Sequence, residues 1–296
     1  MPAFTIDDRK DLTFNQLLGI NNEGTIAGYF GIGGTNAQHP NKGYTVTPNY
    51  AQGNFKDENF PNSVQTQVTG INDNDLTVGF YIDANGNNIG FVEHDGKFAS
   101  VYDPAGAPLA TSSNGTPSTE QLLGVNDFDV AAGFYTDANG QNHGFTYDIV
   151  HGTFHAVNVS GFTNVMATGI DNFGDIVGTG TDAQGRTEGF VMNSHGAVHE
   201  LTGPAGAVSV SALGINDFGE VVGSWTDAQK NSHGFEYNAS NGKYTTYNFG
   251  NGSGTVINGV NDKNELVGFY TDAQNNTNGV LVIPGTTGPQ VYGHHW

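Results

Sequence analysis

The chain contains no cysteine, which excludes disulfides and thiolate-ligated metal or redox centres. Charge is also scarce, at 13% of residues against about 25% in ordinary globular domains. Basic residues are the rarest of these: 9 Lys and Arg stand against 29 Asp and Glu, a net charge of −20. Binding a nucleic-acid backbone requires clustered cations that release counterions, so a nucleic-acid partner is excluded, and an anionic membrane surface is disfavoured for the same reason. No apolar run of about 18 residues is present, so no membrane insertion is expected. The opening Met1-Pro2-Ala3-Phe4 lacks the basic and apolar regions of a signal peptide. That start fits either a cytoplasmic protein or a processed form of an exported one.

The chain is rich in glycine, with 44 in 296 residues, and 11% of it is aromatic. Many of these glycines are periodic. Gly19, Gly70, Gly124, Gly169, Gly214 and Gly259 each open a Gly-Ile/Val-Asn/Asp triplet, with spacings of 51, 54, 45, 45 and 45 residues. A second glycine always follows nine residues later, at Gly28, Gly79, Gly133, Gly178, Gly223 and Gly268. A third comes 11 residues on, at Gly90, Gly144, Gly189, Gly234 and Gly279, and at Gly43 in the stretched first copy.

Between the glycines run short apolar segments bounded by Asn, Asp and Gly, which read as strands and hairpin turns. The first turn ends in Gly24, Asp75, Asp129, Gly174, Gly219 or Asn264, residue types that tolerate a left-handed backbone. Three hairpin turns per copy give four antiparallel strands. Six such copies predict an all-β fold, a six-bladed β-propeller of four-stranded antiparallel blades. The expected blades are 14–61, 64–104, 119–160, 163–204, 208–250 and 254–284 plus 3–8, together one domain over 1–296. The last copy stops after its third strand, and Phe4-Thr5-Ile6-Asp7 reads as a lone fourth strand. The N-terminal strand is therefore expected to close the ring and remove the open edges.

The strings Gly-Ile-Asn-Asp-Xaa-Gly, Val-Gly-Xaa-Tyr-Thr-Asp-Ala and His-Gly-Phe, seen best from Gly214 to Phe235 and Gly124 to Phe145, resemble the HAF-type extracellular repeat of bacterial proteins. The resemblance extends from about Gln16 to Ile283. It implies a secreted, extracellular or periplasmic, propeller-like protein and brings no catalytic residues with it. Lys42, Ile89, Glu188 and Asn278 stand where that repeat has His, so the His is not a shared requirement.

If first strands line the axis, the Asn-Asp turns lie on one face, and the Asp-Ala-Asn-Gly turns lie with the interblade links on the other. The second face carries two extended loops, around 31–42 and 102–118, the latter about 11 residues longer than its counterparts. Gln16, Gln67 and Gln121 share one register on the first strands, three residues before the marker glycine. Tyr81, Tyr135, Trp225 and Tyr270 end second strands and could stack a sugar or apolar ring, although residues so placed are more often core between blades. Together they suggest a binding module for a neutral small molecule or saccharide at the axial mouth, working as a monomer. The alternative is a cofactor-free cyclase, lyase or pericyclase in the same pocket, with Glu120 and His143 as proton-transfer groups. A structural or adhesive role is the third. No cofactor is expected. Asp83, Asp137, Asp182, Asp227 and Asp272 resemble fragments of calcium loops, but they lack the distal bidentate Glu, and Asx turns explain them without metal.

Overall fold

A computed structural model describes residues 3–6, 14–31, 40–102, 119–250 and 254–285. These form six four-stranded antiparallel sheets, each running outward from its first strand. The first strands are Asn15–Ile20, Gln65–Ile71, Thr119–Val125, Thr163–Ile170, Ser209–Ile215 and Gly254–Val260. Blade 6 takes its fourth strand from the other end of the chain. Ala3–Ile6 pairs antiparallel with Thr277–Val282, Ala3 opposite Val282 and Ile6 opposite Gly279. The ring is thus closed by the N-terminal strand, as its length arithmetic predicts. Single parallel bridges, Phe14 with Thr277, Asn88 with Thr119 and Ser232 with Gly254, tie the third strand of one blade to the first strand of the next.

The marker glycines form the axis. A Cβ on Gly19 would lie 3.0 Å from the Cα of Gly70, and the same close approach runs from Gly70 to Gly124, Gly169, Gly214, Gly259 and back to Gly19. No larger residue fits six times around so narrow a ring. The second glycine serves a different purpose. Each first strand carries a bulge just before its marker glycine, and a Cβ at Gly79 or Gly133 would overlap the carbonyl of Gln67 or Gln121. The aromatic side chain after the third glycine then packs onto this spot, as Phe91, Phe190 and Phe235 do over Gly79, Gly178 and Gly223. Those rings are almost fully buried. The constant nine-residue interval and the Gly-Phe pair are therefore two halves of one packing motif.

Two hydrogen-bonded belts close the ring on the Asn-Asp turn face. In the first, the Asn side chain folds its own turn, as when Asn126 Oδ1 accepts from the amides of Phe128 and Val130. Its Nδ2 donates to the next blade: Asn21 to the carbonyl of Asn72, Asn72 to Asn126, Asn126 to Asp171, Asn216 to Asn261, and Asn261 to Asn21. Blade 4 has Asp171 in this position. Its Oδ1 keeps the two turn bonds, to Phe173 and Asp175, but a carboxylate has no proton for the carbonyl of Asn216. Burial, with Asp175 and Asp217 nearby, raises its pKa to about 6. The neutral acid can donate where the amide does.

The second belt joins Asn22, Asp73, Asp127, Asn172, Asp217 and Asp262. Each side chain accepts from a neighbouring turn's backbone amide. Asn22 Nδ2 bridges Asp73 and Asp262, and Asn172 Nδ2 bridges Asp127 and Asp217. Two amides placed opposite each other thus separate four carboxylates into two pairs.

Candidate functional site

The axis offers little room. The recess between the turns encloses about 70 Å³. An adjoining recess of about 70 Å³ is walled by the glycine ring, with Leu18, Leu123 and Leu213 alternating with Thr69, Thr168 and Asn258. The polar members of that alternation are spent on the fold: Thr69 donates to the carbonyl of Leu122, Thr168 to that of Ala212, and Asn258 to that of Leu17. Each recess has room for a few waters; small-molecule pockets usually hold about 300–1,000 Å³.

The larger cavity lies off the axis. About 620 Å³ opens at the outer strands of blade 3 and its link to blade 4. Tyr135 from the second strand, His143 and Phe145 from the third and Phe154 from the fourth supply aromatic surface, and Phe162 of the link adds another ring. Gln141, Asn142, Asn158 and Asn164 supply neutral amides. The Tyr135 and His143 rings stack, centroids 5.0 Å apart and 21° between planes, because the two residues are directly paired across adjacent strands. Asp137 braces the imidazole, its Oδ2 lying 3.1 Å from His143 Nε2. Amides from its own turn, above all that of Gln141, and the hydrogen bond to His143 hold the Asp137 carboxyl down at about 2.

This cavity contains Tyr135 and His143 from the sequence reading. Phe154, Phe162, Asn158 and Asn164 were not singled out there as site residues. Phe154 had a visible signal, since an aromatic opens the fourth strand in several copies; the link amides follow no repeat and carry none.

The other expected site residues are placed elsewhere. Gln16, Gln67 and Gln121 pair with Tyr29, Phe80 and Phe134, whereas Tyr81, Tyr135, Trp225 and Tyr270 pair with Thr66, Glu120, Val210 and Thr255. Neighbouring residues on a strand point to opposite faces of the sheet. In blades 2 and 3 the glutamine and the tyrosine therefore face opposite sides of the same blade, and the expected ligand set is not brought together. Gln16 accepts from the Tyr29 hydroxyl at 2.7 Å. Tyr81 is core: it is buried, lies flat against Phe60 at 3.8 Å, and its hydroxyl is 3.0 Å from Ser100 Oγ. Trp225 stacks on His233 at 4.2 Å, and Asp227 and Asn248 bond the two imidazole nitrogens, so blade 5 repeats the Tyr135, His143 and Asp137 grouping. Tyr270 packs beside Phe249.

Glu120 is buried against blade 2, its carboxyl beside Gly90. It lies in one cross-strand row with Tyr135 and His143. Two strand spacings, about 10 Å, separate it from the imidazole, and Tyr135 stands between them. Asp83, Asp137, Asp182, Asp227 and Asp272 each form an Asx turn, Oδ1 accepting the amides two and four residues on. Among the described residues, no three His, Asp or Glu side chains come together as a metal-binding group, and no helix is long and apolar enough to cross a membrane. The extended loops lie mostly outside the described residues, at 32–39 and 103–118.

No family model and no curated protein matches the sequence. Solved structures do match. The Aleuria aurantia lectin, in complex with Fucalpha1-6GlcNAc, aligns with a TM-score of 0.53 at 9% identity over 93% of each chain. TolB from Acinetobacter baumannii aligns with a TM-score of 0.55 at 10% identity over 86% of this chain, which spans 63% of TolB's length. A mutant of AofleA from Arthrobotrys oligospora aligns with a TM-score of 0.55 at 12% identity, over 96% of this chain and 86% of that one. The lectin has also been described as a six-bladed β-propeller. Identities this low establish the shared propeller fold and nothing finer.

Proposed function

We propose that the protein binds a neutral saccharide, or a small molecule of similar polarity, in the blade 3 cavity. The observation that carries this reading is the makeup of that cavity: its lining combines the stacked Tyr135 and His143 and further rings with neutral amides. A sugar presents an apolar C–H face that packs on aromatic rings and hydroxyls that exchange hydrogen bonds with amides, so such a wall is complementary to it. About 620 Å³ suits one or two sugar rings. The fucose-bound lectin shares the fold, which makes a saccharide ligand a reasonable first choice for testing. Binding is favoured over turnover because Glu120 and His143, the expected proton-transfer pair, are held apart by Tyr135.

A glycan array, followed by titration calorimetry on its hits, tests the assignment with wild type, Tyr135→Ala and His143→Ala. The expected result is a neutral-glycan hit whose affinity falls about tenfold or more in either variant, with each variant still folding cooperatively and its melting temperature lowered by only a few degrees. Hits that survive both substitutions would place the site elsewhere.

A further inference from the structure

The Asn-Asp turn face carries a feature that ring closure does not require. Phe128, Phe173 and Phe218 occupy the same turn position in blades 3, 4 and 5 and are 69%, 67% and 71% exposed. Blades 1, 2 and 6 have Glu23, Asn74 and Lys263 there, the polar residues expected at a turn tip. The three rings are neighbours on the rim of the axis, because the turns that bear them are hydrogen-bonded to one another: the Asp127 amide donates to Asn172 and the Asn172 amide donates to Asp217. No ring helps to fold its own turn, since the turn bonds are backbone amides donating to Oδ1 of Asn126, Asp171 and Asn216. Val150, on a neighbouring turn of blade 3, is 69% exposed as well. Large apolar side chains left exposed on three successive linked turns are costly to keep and mark an interaction site.

The surroundings of the rings select the partner. The three turns, 126–130, 171–175 and 216–220, present the half-buried Asp127, Asp129, Asp175, Asp217 and Glu220, besides the buried Asp171, and contain no Lys or Arg. We propose that the turn face of blades 3 to 5 docks a partner protein through a segment that combines lysine or arginine with apolar side chains. Its apolar groups would cover the phenylalanines, while its cations would meet the rim carboxylates and the ring faces. A second copy packed on the same face would set carboxylate against carboxylate. An anionic bilayer is repelled by the same charges. The surface is on the opposite face of the ring from the link-side end of the blade 3 cavity, so the two assignments stand or fall separately.

The test uses the full chain and three labelled, capped peptides of about twelve residues: one mixing Lys with Leu, one mixing Lys with Ser, and one mixing Glu with Leu. Fluorescence anisotropy is recorded for wild type and for the Phe128→Ser, Phe173→Ser, Phe218→Ser triple variant, whose folding is checked by its thermal melt. The Lys/Leu peptide should bind wild type best, lose affinity with added salt, and bind the triple variant about tenfold more weakly. The Lys/Ser peptide should bind weakly and alike to both proteins. Equal binding of the Lys/Leu peptide to both proteins would overturn the proposal, leaving only non-specific attraction to net charge. So would equal binding of the Glu/Leu peptide. Phenylalanine-dependent binding to phosphatidylcholine vesicles would replace the protein partner with a membrane, and phenylalanine-dependent self-association in sedimentation would replace it with a second copy.

Discussion

The two faces of the ring use the same turn, yet Asp171 on one face and Asp137 and Asp227 on the other are shifted in opposite directions. On both, an Asn or Asp Oδ1 accepts the amides two and four residues on, as Asp171 does on one face and Asp137 and Asp227 do on the other. Asp137 and Asp227 lie at the rim, where turn amides, Asn231 for Asp227, and the paired imidazoles stabilise the anion and hold each carboxyl at about 2. Asp171 is wedged between blades with two other carboxyl groups near it, and burial raises it to about 6. Local turn geometry is therefore neutral with respect to charge, and the next blade decides which protonation state is favoured. The same contrast separates uniformity from variety. The Asn-Asp face is bonded continuously around the ring and keeps one length in all six copies, whereas the opposite face changes link length and residue type from blade to blade.

The strongest way to break the comparison is to open the ring on which both faces depend. Deleting residues 1–8 removes the strand Ala3–Ile6 and uncovers the pairing edge beside Val280, Leu281 and Val282, all buried. A loss of about 3–6 kcal/mol is expected, with self-association through the exposed edge. Calorimetry and sedimentation check it; an unchanged melting temperature in a monomeric truncated protein would refute the closing role of this strand.

Next in size is the belt. Asn126→Ala removes the donor to Asp171 and two turn bonds. At about 1 kcal/mol each, the cost is about 2–3 kcal/mol, read by urea titration. Saccharide binding at blade 3 should survive once folding is corrected for.

Asp171→Asn should act in the opposite direction. Its folded pKa of about 6 lies above the ordinary value of 3.8, so its contribution to stability is complete below about pH 4 and is lost as pH rises through about 6. Wild type should lose stability between about pH 4 and 6 on this account. The Asn variant supplies the missing donor at every pH, and should be more stable at pH 7 by about 2 kcal/mol with a flatter profile. An unchanged profile would show that the carbonyl of Asn216 is satisfied in another way. Asp137 and Asp227 give the opposite sign: their contribution is present above about pH 4 and is lost as pH falls through about 2.

The smallest effect on stability is expected where function is assigned. Tyr135→Ala should cost about 1 kcal/mol or less, because Tyr135 is only half-buried, while weakening ligand binding. Gln67→Leu with Gln121→Leu is the sharpening control. Both glutamines lie on the sheet face opposite Tyr81 and Tyr135, so the double variant should leave the blade 3 titration unchanged. A loss of binding there would return the site to the axial mouth.

Most of the architecture was legible because it rests on backbone demands that recur six times. Gly19 and its five equivalents are needed wherever blades meet at the axis, and Asp75 and Asp129 reach positive φ at the tips of the same turn, 58° and 56°. Such requirements are local and appear in phase. The candidate site was legible only in part. Tyr135 and His143 were singled out, but Gln67 and Gln121 were grouped with the tyrosines although a shift of one residue in cross-strand register sends them to the other side of the blade.

The sequence by itself determined the number of blades, the turn chemistry and the strand that closes the ring, since each follows from spacing and from residues that only certain backbone conformations accept. Tertiary structure alone decided which side chains share a surface. Cross-strand register stacked His143 on Tyr135, packing between blades buried Asp171 near Asp217, and Phe128, Phe173 and Phe218 were left in solvent while Phe91, Phe145 and Phe235 were buried. The physical reason is that burial and electrostatics depend on residues contributed by other blades, about 45 or more positions away in the chain.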